Sequence, residues 1–136
     1  MMKKIVLLLV SLCVFAFLAC DDAALDYSGT WAGTYTEGEG PPTSSIALSA
    51  AAPNTLTITI TQNGTILTGI GGLSGLYTFT DGTISGTVTA EVFTITIDFD
   101  DSGTVIINGT FSSETSASGT YNPSFGASGT FSITRQ

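Results

Sequence analysis

The sequence predicts an all-β fold: an antiparallel up-and-down meander barrel of eight to ten strands, with a β-sandwich as the alternative. Three observations carry this. First, a triplet of glycine, threonine and a bulky apolar residue occurs nine times, starting at Gly29, Gly33, Gly64, Gly82, Gly86, Gly103, Gly109, Gly119 and Gly129. On a strand, the glycine and the bulky residue share one face while threonine takes the other. Glycine and threonine are both poor helix formers. Second, apolar and polar residues alternate with period two over residues 56–61 and again over 93–100. Third, turn-forming pairs recur at short intervals with no helical stretch between them, as in hairpins laid in succession. A small residue beside a large one suits the tapering interior of a small barrel. Closure also removes the open edges that a threonine-rich sheet would expose.

Each element follows in order. Tyr27 to Glu37 is the first strand, stopped by Gly38-Glu39-Gly40-Pro41-Pro42, since proline cannot donate to a ladder. Ser44 to Ser49 is a further candidate strand and Ala50 to Asn54 a loop. Leu56, Ile58 and Ile60 alternate with Thr57, Thr59 and Thr61, and Asn63-Gly64 then supplies a type I′ hairpin signal. The return strand covers Thr65 to Ile70, and Gly71-Gly72 opens a loop. Leu76 to Thr80 and Thr83 to Thr89 flank a second hairpin turn at Asp81-Gly82. Phe93, Ile95, Ile97 and Phe99 alternate with Thr94, Thr96, Asp98 and Asp100 before a turn at Asp101-Ser102-Gly103. Thr104 to Ser112, Ser116 to Tyr121 and Ala127 to Arg135 complete the set, with Asn122-Pro123-Ser124 between the last two.

The first nineteen residues read differently. Lys3 and Lys4 give a positive start, and Ile5 to Ala19 is an apolar run too short for a membrane-spanning helix, which needs about 20 residues. It has the length of a signal-peptide core. The run ends Phe17-Leu18-Ala19-Cys20, which resembles the lipobox of bacterial lipoproteins, although Phe17 and Leu18 stand where leucine and a small residue are usual. The resemblance implies that residues 1–19 are a signal peptide. It also implies that Cys20 becomes the lipidated N-terminus, carrying palmitate-type acyl chains, and that residues 20–26 are a tether to a domain at 27–136. Two acyl chains suffice for stable attachment. The implied address is the cell envelope, lipid-anchored to the inner or the outer membrane.

Charge and composition narrow the function. Beyond Cys20 the chain keeps one basic residue, Arg135, against eleven acids. Such a chain repels nucleic acid, so no nucleic-acid partner is expected. Histidine is absent, the domain has no lysine, and Cys20 is the only cysteine outside the leader. The histidine base, the thiol nucleophile and the Schiff-base amine are therefore missing, and no serine sits in a nucleophile elbow. The carboxylates that could pair lie mostly in turns and on polar strand faces, where they read as solvated surface charge. No enzyme activity and no cofactor are expected. Asp98 to Gly103 begins like a calcium loop, with oxygen side chains at its first, third and fifth positions and glycine at the sixth. Gly109 stands where the bidentate glutamate belongs, so no metal is expected. Asn63-Gly64-Thr65 and Asn108-Gly109-Thr110 match the glycosylation acceptor pattern, and the first reads better as a turn.

Trp31, Tyr35, Phe93, Phe99, Phe111 and Phe131 are the candidates to line a pocket for a small hydrophobic ligand. The competing reading is plain core, because side chains alone can fill an eight-stranded barrel. A Gly-X-Trp first strand closing a small meander, with an arginine near the end, resembles the calycin group of lipocalins, fatty-acid-binding proteins and avidins; the matching residues are Gly29, Trp31 and Arg135. The chain is also similar to small bacterial secreted proteins and lipoproteins that open Gly-Thr-Trp-X-Gly-Thr-Tyr and end Gly-Thr-Phe-X-X-X-Arg, here Gly29–Tyr35 and Gly129–Arg135. The resemblance implies a lipocalin-like barrel in which Trp31 and Arg135 meet where the first and last strands close. Two functions stay open: a binder of a small hydrophobic molecule, and a filled barrel that presents its surface to an envelope protein.

Overall fold

The computed structural model describes residues 25–37 and 53–136. The leader, Cys20, the first part of the tether, the Gly38–Pro42 stop and the candidate strand at Ser44–Ser49 lie outside the described residues. So does the start of the loop that follows that strand.

Period-two sequence becomes eight strands: β1 (Gly29–Glu37), β2 (Thr55–Asn63), β3 (Ile66–Ser74), β4 (Phe79–Thr89), β5 (Val92–Asp98), β6 (Thr104–Ser113), β7 (Ser116–Pro123) and β8 (Gly129–Arg135). Each pairs antiparallel with the next, and β8 returns to β1, so the sheet is a closed meander barrel and not a sandwich. Alternation sets the faces. Leu56, Ile58 and Ile60 on β2 and Phe93, Ile95 and Ile97 on β5 point inward and are buried, while Thr57, Thr59, Thr94 and Asp98 point outward. The outward rows are largely hydroxyl, and some bond across strands, as Thr36 does with Thr130 at 3.0 Å. Each large apolar side chain taken from water contributes about 1.5–3 kcal/mol.

Three local expectations are corrected. The Asn63-Gly64 hairpin is displaced by one residue: Asn63 pairs with Ile66, and Gly64-Thr65 form the two-residue turn. Gly64 has φ +62° and Thr65 does not join it at positive φ, the type II′ pattern rather than I′. This shift of one residue turns Ile66 to the outside, where it is 55% exposed, because pairing phase decides the face. Asp81-Gly82 is no turn at all. One continuous strand, β4, runs through it, and Thr80 and Asp81 together oppose Gly72 on β3 as a bulge, with Asp81 at φ +61°. The preference of Asp-Gly for positive φ bends a strand here instead of reversing it. Gly71-Gly72 likewise stays inside β3, and the chain reverses at Gly75–Thr78.

Phe99 lies one residue past β5 yet remains buried, and a 3-10 turn over Asp100–Ser102 leads into β6. Asn122 and Pro123 extend β7, so the last reversal lies at residues 124–128.

Candidate functional site

Four of the six aromatic candidates form one line through the barrel interior. Trp31 lies 5.1 Å from Phe111 between ring centroids, Phe111 lies 4.5 Å from Phe93, and Phe93 lies 6.3 Å from Phe131. The other two belong to separate contacts near the opposite end. Tyr35 meets Tyr121 edge-on at 5.2 Å, and Phe99 leans on Phe79 at 5.1 Å. All six are buried.

The space between them is occupied. A methyl group added at Gly109 would stand 2.5 Å from Cζ of Phe93 and 2.8 Å from Cζ of Phe131. At Gly82 it would stand 2.5 Å from the Phe99 ring, and at Gly71 2.8 Å from Cδ1 of Ile97. Carbon atoms in ordinary contact sit about 3.5–4.0 Å apart. The inward glycines therefore make room for neighbouring rings and branched side chains, and that room is filled.

Tyr27 closes one end. It precedes β1 but turns inward, stacking on Phe111 with centroids 3.7 Å apart and planes 5° apart. Its N–H donates to Oε1 of Gln62 at 2.9 Å, and its carbonyl accepts from the Trp31 indole N–H at 3.0 Å. At the same end Trp31 and Arg135 are directly opposed in the β1–β8 pairing, and the guanidinium carbon lies 5.9 Å from the indole centroid. That is within the range at which a cation is attracted to a ring face. Arg135 also donates from Nη2 to the Ser28 carbonyl and from Nη1 to the Asp26 carbonyl, the latter at 3.4 Å. The seam is thus tied by one cation through three groups.

The other end carries Tyr77, Phe79 and Phe125, half-buried and packed on the core, with Tyr77 5.0 Å from Phe125 and Phe79 4.8 Å from it. The Tyr77 hydroxyl donates to Glu37 Oε1 at 2.7 Å, and this bond is the first cause of its raised pKa. Beneath, the Tyr121 hydroxyl is buried without a hydrogen-bond partner. Burial first, then the Glu37 carboxylate, pushes its pKa up to about 12, so it is a neutral hydroxyl across the physiological range.

Tyr27, Tyr77, Phe79, Tyr121 and Phe125 are absent from the sequence-predicted set. Tyr121 ends one of the nine triplets, which is a signal that could have found it. The placement of Tyr77 and Phe125 depends on loops and carries no periodic signal.

Two shallow clefts lie on the outer wall instead. One of about 200 Å³ is bounded by Thr57, Thr59, Ile70, Gly72 and Asp81 among others, and a second of about 180 Å³ adjoins it at Thr57, Gly72 and Thr80. Both follow from the β3–β4 bulge, where Gly72 leaves its outward row without a side chain. None of the six predicted pocket residues lines either cleft. Asp98 accepts a hydrogen bond from the Asp100 N–H at 3.0 Å in a turn of its own, and no three potential metal ligands converge among the described residues. Comparison with known families, with characterised proteins and with solved structures finds no match.

Proposed function

We propose that the chain is a lipid-anchored, non-enzymatic protein of the cell envelope whose barrel is solid and acts through its outer surface, as a structural or interaction module. The observation that carries this over the ligand-binding reading is the occupied interior: where Gly71, Gly82 and Gly109 face inward, there is no space for even one added methyl. A carrier of a hydrophobic molecule needs a cavity of several hundred Å³. Kinship with the calycin group would then be one of architecture, resting on Gly29, Trp31 and Arg135. Anchoring rests on Cys20, which follows the apolar leader directly.

The test has two arms. Wild type should incorporate labelled palmitate, while Cys20→Ser should not and should leave the membrane fraction or stay unprocessed. Native mass spectrometry of the detergent-free Cys20→Ser protein should give the mass of the polypeptide alone. A co-purifying small molecule would return the function to ligand binding, and unlabelled but membrane-bound wild type would refute the lipid anchor.

A further inference from the structure

The turns and chain ends divide between the two ends of the barrel. At one end lie the start of β1, the turns at Gly64-Thr65, Ala90-Glu91 and Glu114-Thr115, and the end of β8. At the other lie the end of β1, the start of β2 and the remaining reversals. The first end carries the exposed apolar side chains of Leu25, Ile66 and Val92. Among the described residues, the other exposed large apolar side chains are Ile70 and Ile106 on the wall, and Leu76 at the far end.

Charge is divided unequally as well. Asp26, Glu91 and Glu114 at the first end are accompanied by Arg135, whereas Glu37, Asp81, Asp98, Asp100 and Asp101 toward the other end have no basic residue among the described residues. An anionic headgroup surface repels the second end more strongly.

The reach of the chain decides between the two ends. The Leu25 carbonyl accepts from Gln62 Nε2 at 3.2 Å, so the polypeptide joins the barrel at that residue. Five residue steps separate Leu25 from Cys20. Fully extended, they span at most about 18 Å. A strand of nine residues such as β2 rises ~30 Å, or ~23 Å along the axis of a barrel whose strands tilt near 40°. With the far end on the bilayer, an acyl chain on Cys20 could not reach the membrane.

We propose that the barrel stands upright on the bilayer, on the end that bears Leu25, Ile66 and Val92, with these side chains at the headgroup boundary. The Tyr77–Phe79–Phe125 end then faces away from the bilayer. This orientation rests on the lipid anchor at Cys20 proposed above.

The described residues contain no cysteine. With the leader and its Cys13 removed and Cys20 acylated, the mature chain therefore accepts one addressable thiol. Ile66→Cys, Val92→Cys, Leu76→Cys, Ile70→Cys and Ile106→Cys all replace exposed side chains. Each would be labelled with a polarity-sensitive fluorophore and reconstituted into phosphatidylcholine vesicles containing a nitroxide-headgroup lipid. The expected result is loss of fluorescence with a blue shift at positions 66 and 92, and neither at 70, 76 or 106. Quenching at 70 or 106 equal to that at 66 would mean a barrel lying on its side. Quenching at 76 alone would mean an inverted one. An absence of quenching at all five positions, in protein that is acylated and floats with the vesicles, would mean a barrel held clear of the bilayer. Each of these overturns the orientation while leaving the anchor intact. Protein that carries no acyl mass and fails to float refutes the anchor, and the orientation with it.

Discussion

Substituting Gly109 by alanine asks directly whether the interior is solid. The new methyl would meet Phe93 Cζ at 2.5 Å, Phe131 Cζ at 2.8 Å and Phe93 Cε1 at 2.9 Å. To restore ordinary contact these rings must retreat by about 1 Å. Phe93 is held by Phe111 at 4.5 Å, and Phe111 in turn by the stacked Tyr27 at 3.7 Å, so the retreat has nowhere to go. Overpacking of this kind costs about 1–3 kcal/mol. Alanine also restricts the unfolded chain, which offsets ~0.4–1 kcal/mol, and Gly109 has no positive φ to add backbone strain. The net expectation is a loss of about 1–2 kcal/mol, or a melting temperature lower by ~4–12 °C for a domain of this size. Unfolding in urea followed by Trp31 fluorescence measures it, with the outward Thr110→Ala as a control near zero. Adding Phe131→Leu should recover part of the loss, since the two sites share one volume. If Gly109→Ala is as stable as wild type or more so, the barrel has spare room and its interior is not solid.

Three further outcomes are expected. Arg135→Ala should cost about 1–2 kcal/mol through its contact with Trp31 and two carbonyl partners, and should shift Trp31 emission; Arg135→Lys should recover only part, lacking the planar fork. Unchanged emission and melting in both variants would show that the seam does not depend on this cation. Gly64→Val should cost about 1 kcal/mol or more, from backbone strain alone, because Gly64 has φ +62° and nothing stands within 4 Å of the added carbon; equal denaturation midpoints would refute the assigned turn. Alkali should destabilise the fold, since all four tyrosines have raised pKa values: by burial first at Tyr27, Tyr35 and Tyr121, and by the Glu37 hydrogen bond first at Tyr77. The unfolded chain loses phenolic protons near pH ~10 while the folded one keeps them. The stability they contribute is therefore complete below that pH and declines as pH rises toward the folded values, with Tyr121 last at about 12. Urea midpoints that stay constant between pH ~9 and ~11.5 would contradict this.

Much of the architecture was legible because strand faces are a local property. The alternations at Leu56–Ile60 and Phe93–Ile97 choose an inner and an outer face whatever the partner strand, and eight of the nine triplets bury their bulky residue in the same way, Ile66 being the exception. Hairpin succession and the placing of Trp31 opposite Arg135 follow from strand order once the meander closes. Two matters belonged to tertiary structure. Asn-Gly and Asp-Gly share a preference for positive φ, but a turn and a bulge both satisfy it. At Asp81-Gly82 the packing of Gly82 against Phe99 and Ile97, and the pairing across to Gly72, selected the bulge. The filling of the interior was equally beyond reach. Whether the glycine at 109 leaves a hole depends on rings from positions 93 and 131, on strands β5 and β8. A sequence states the size of each side chain, but the space beside it is set by non-local neighbours, and only the closed barrel brings those together.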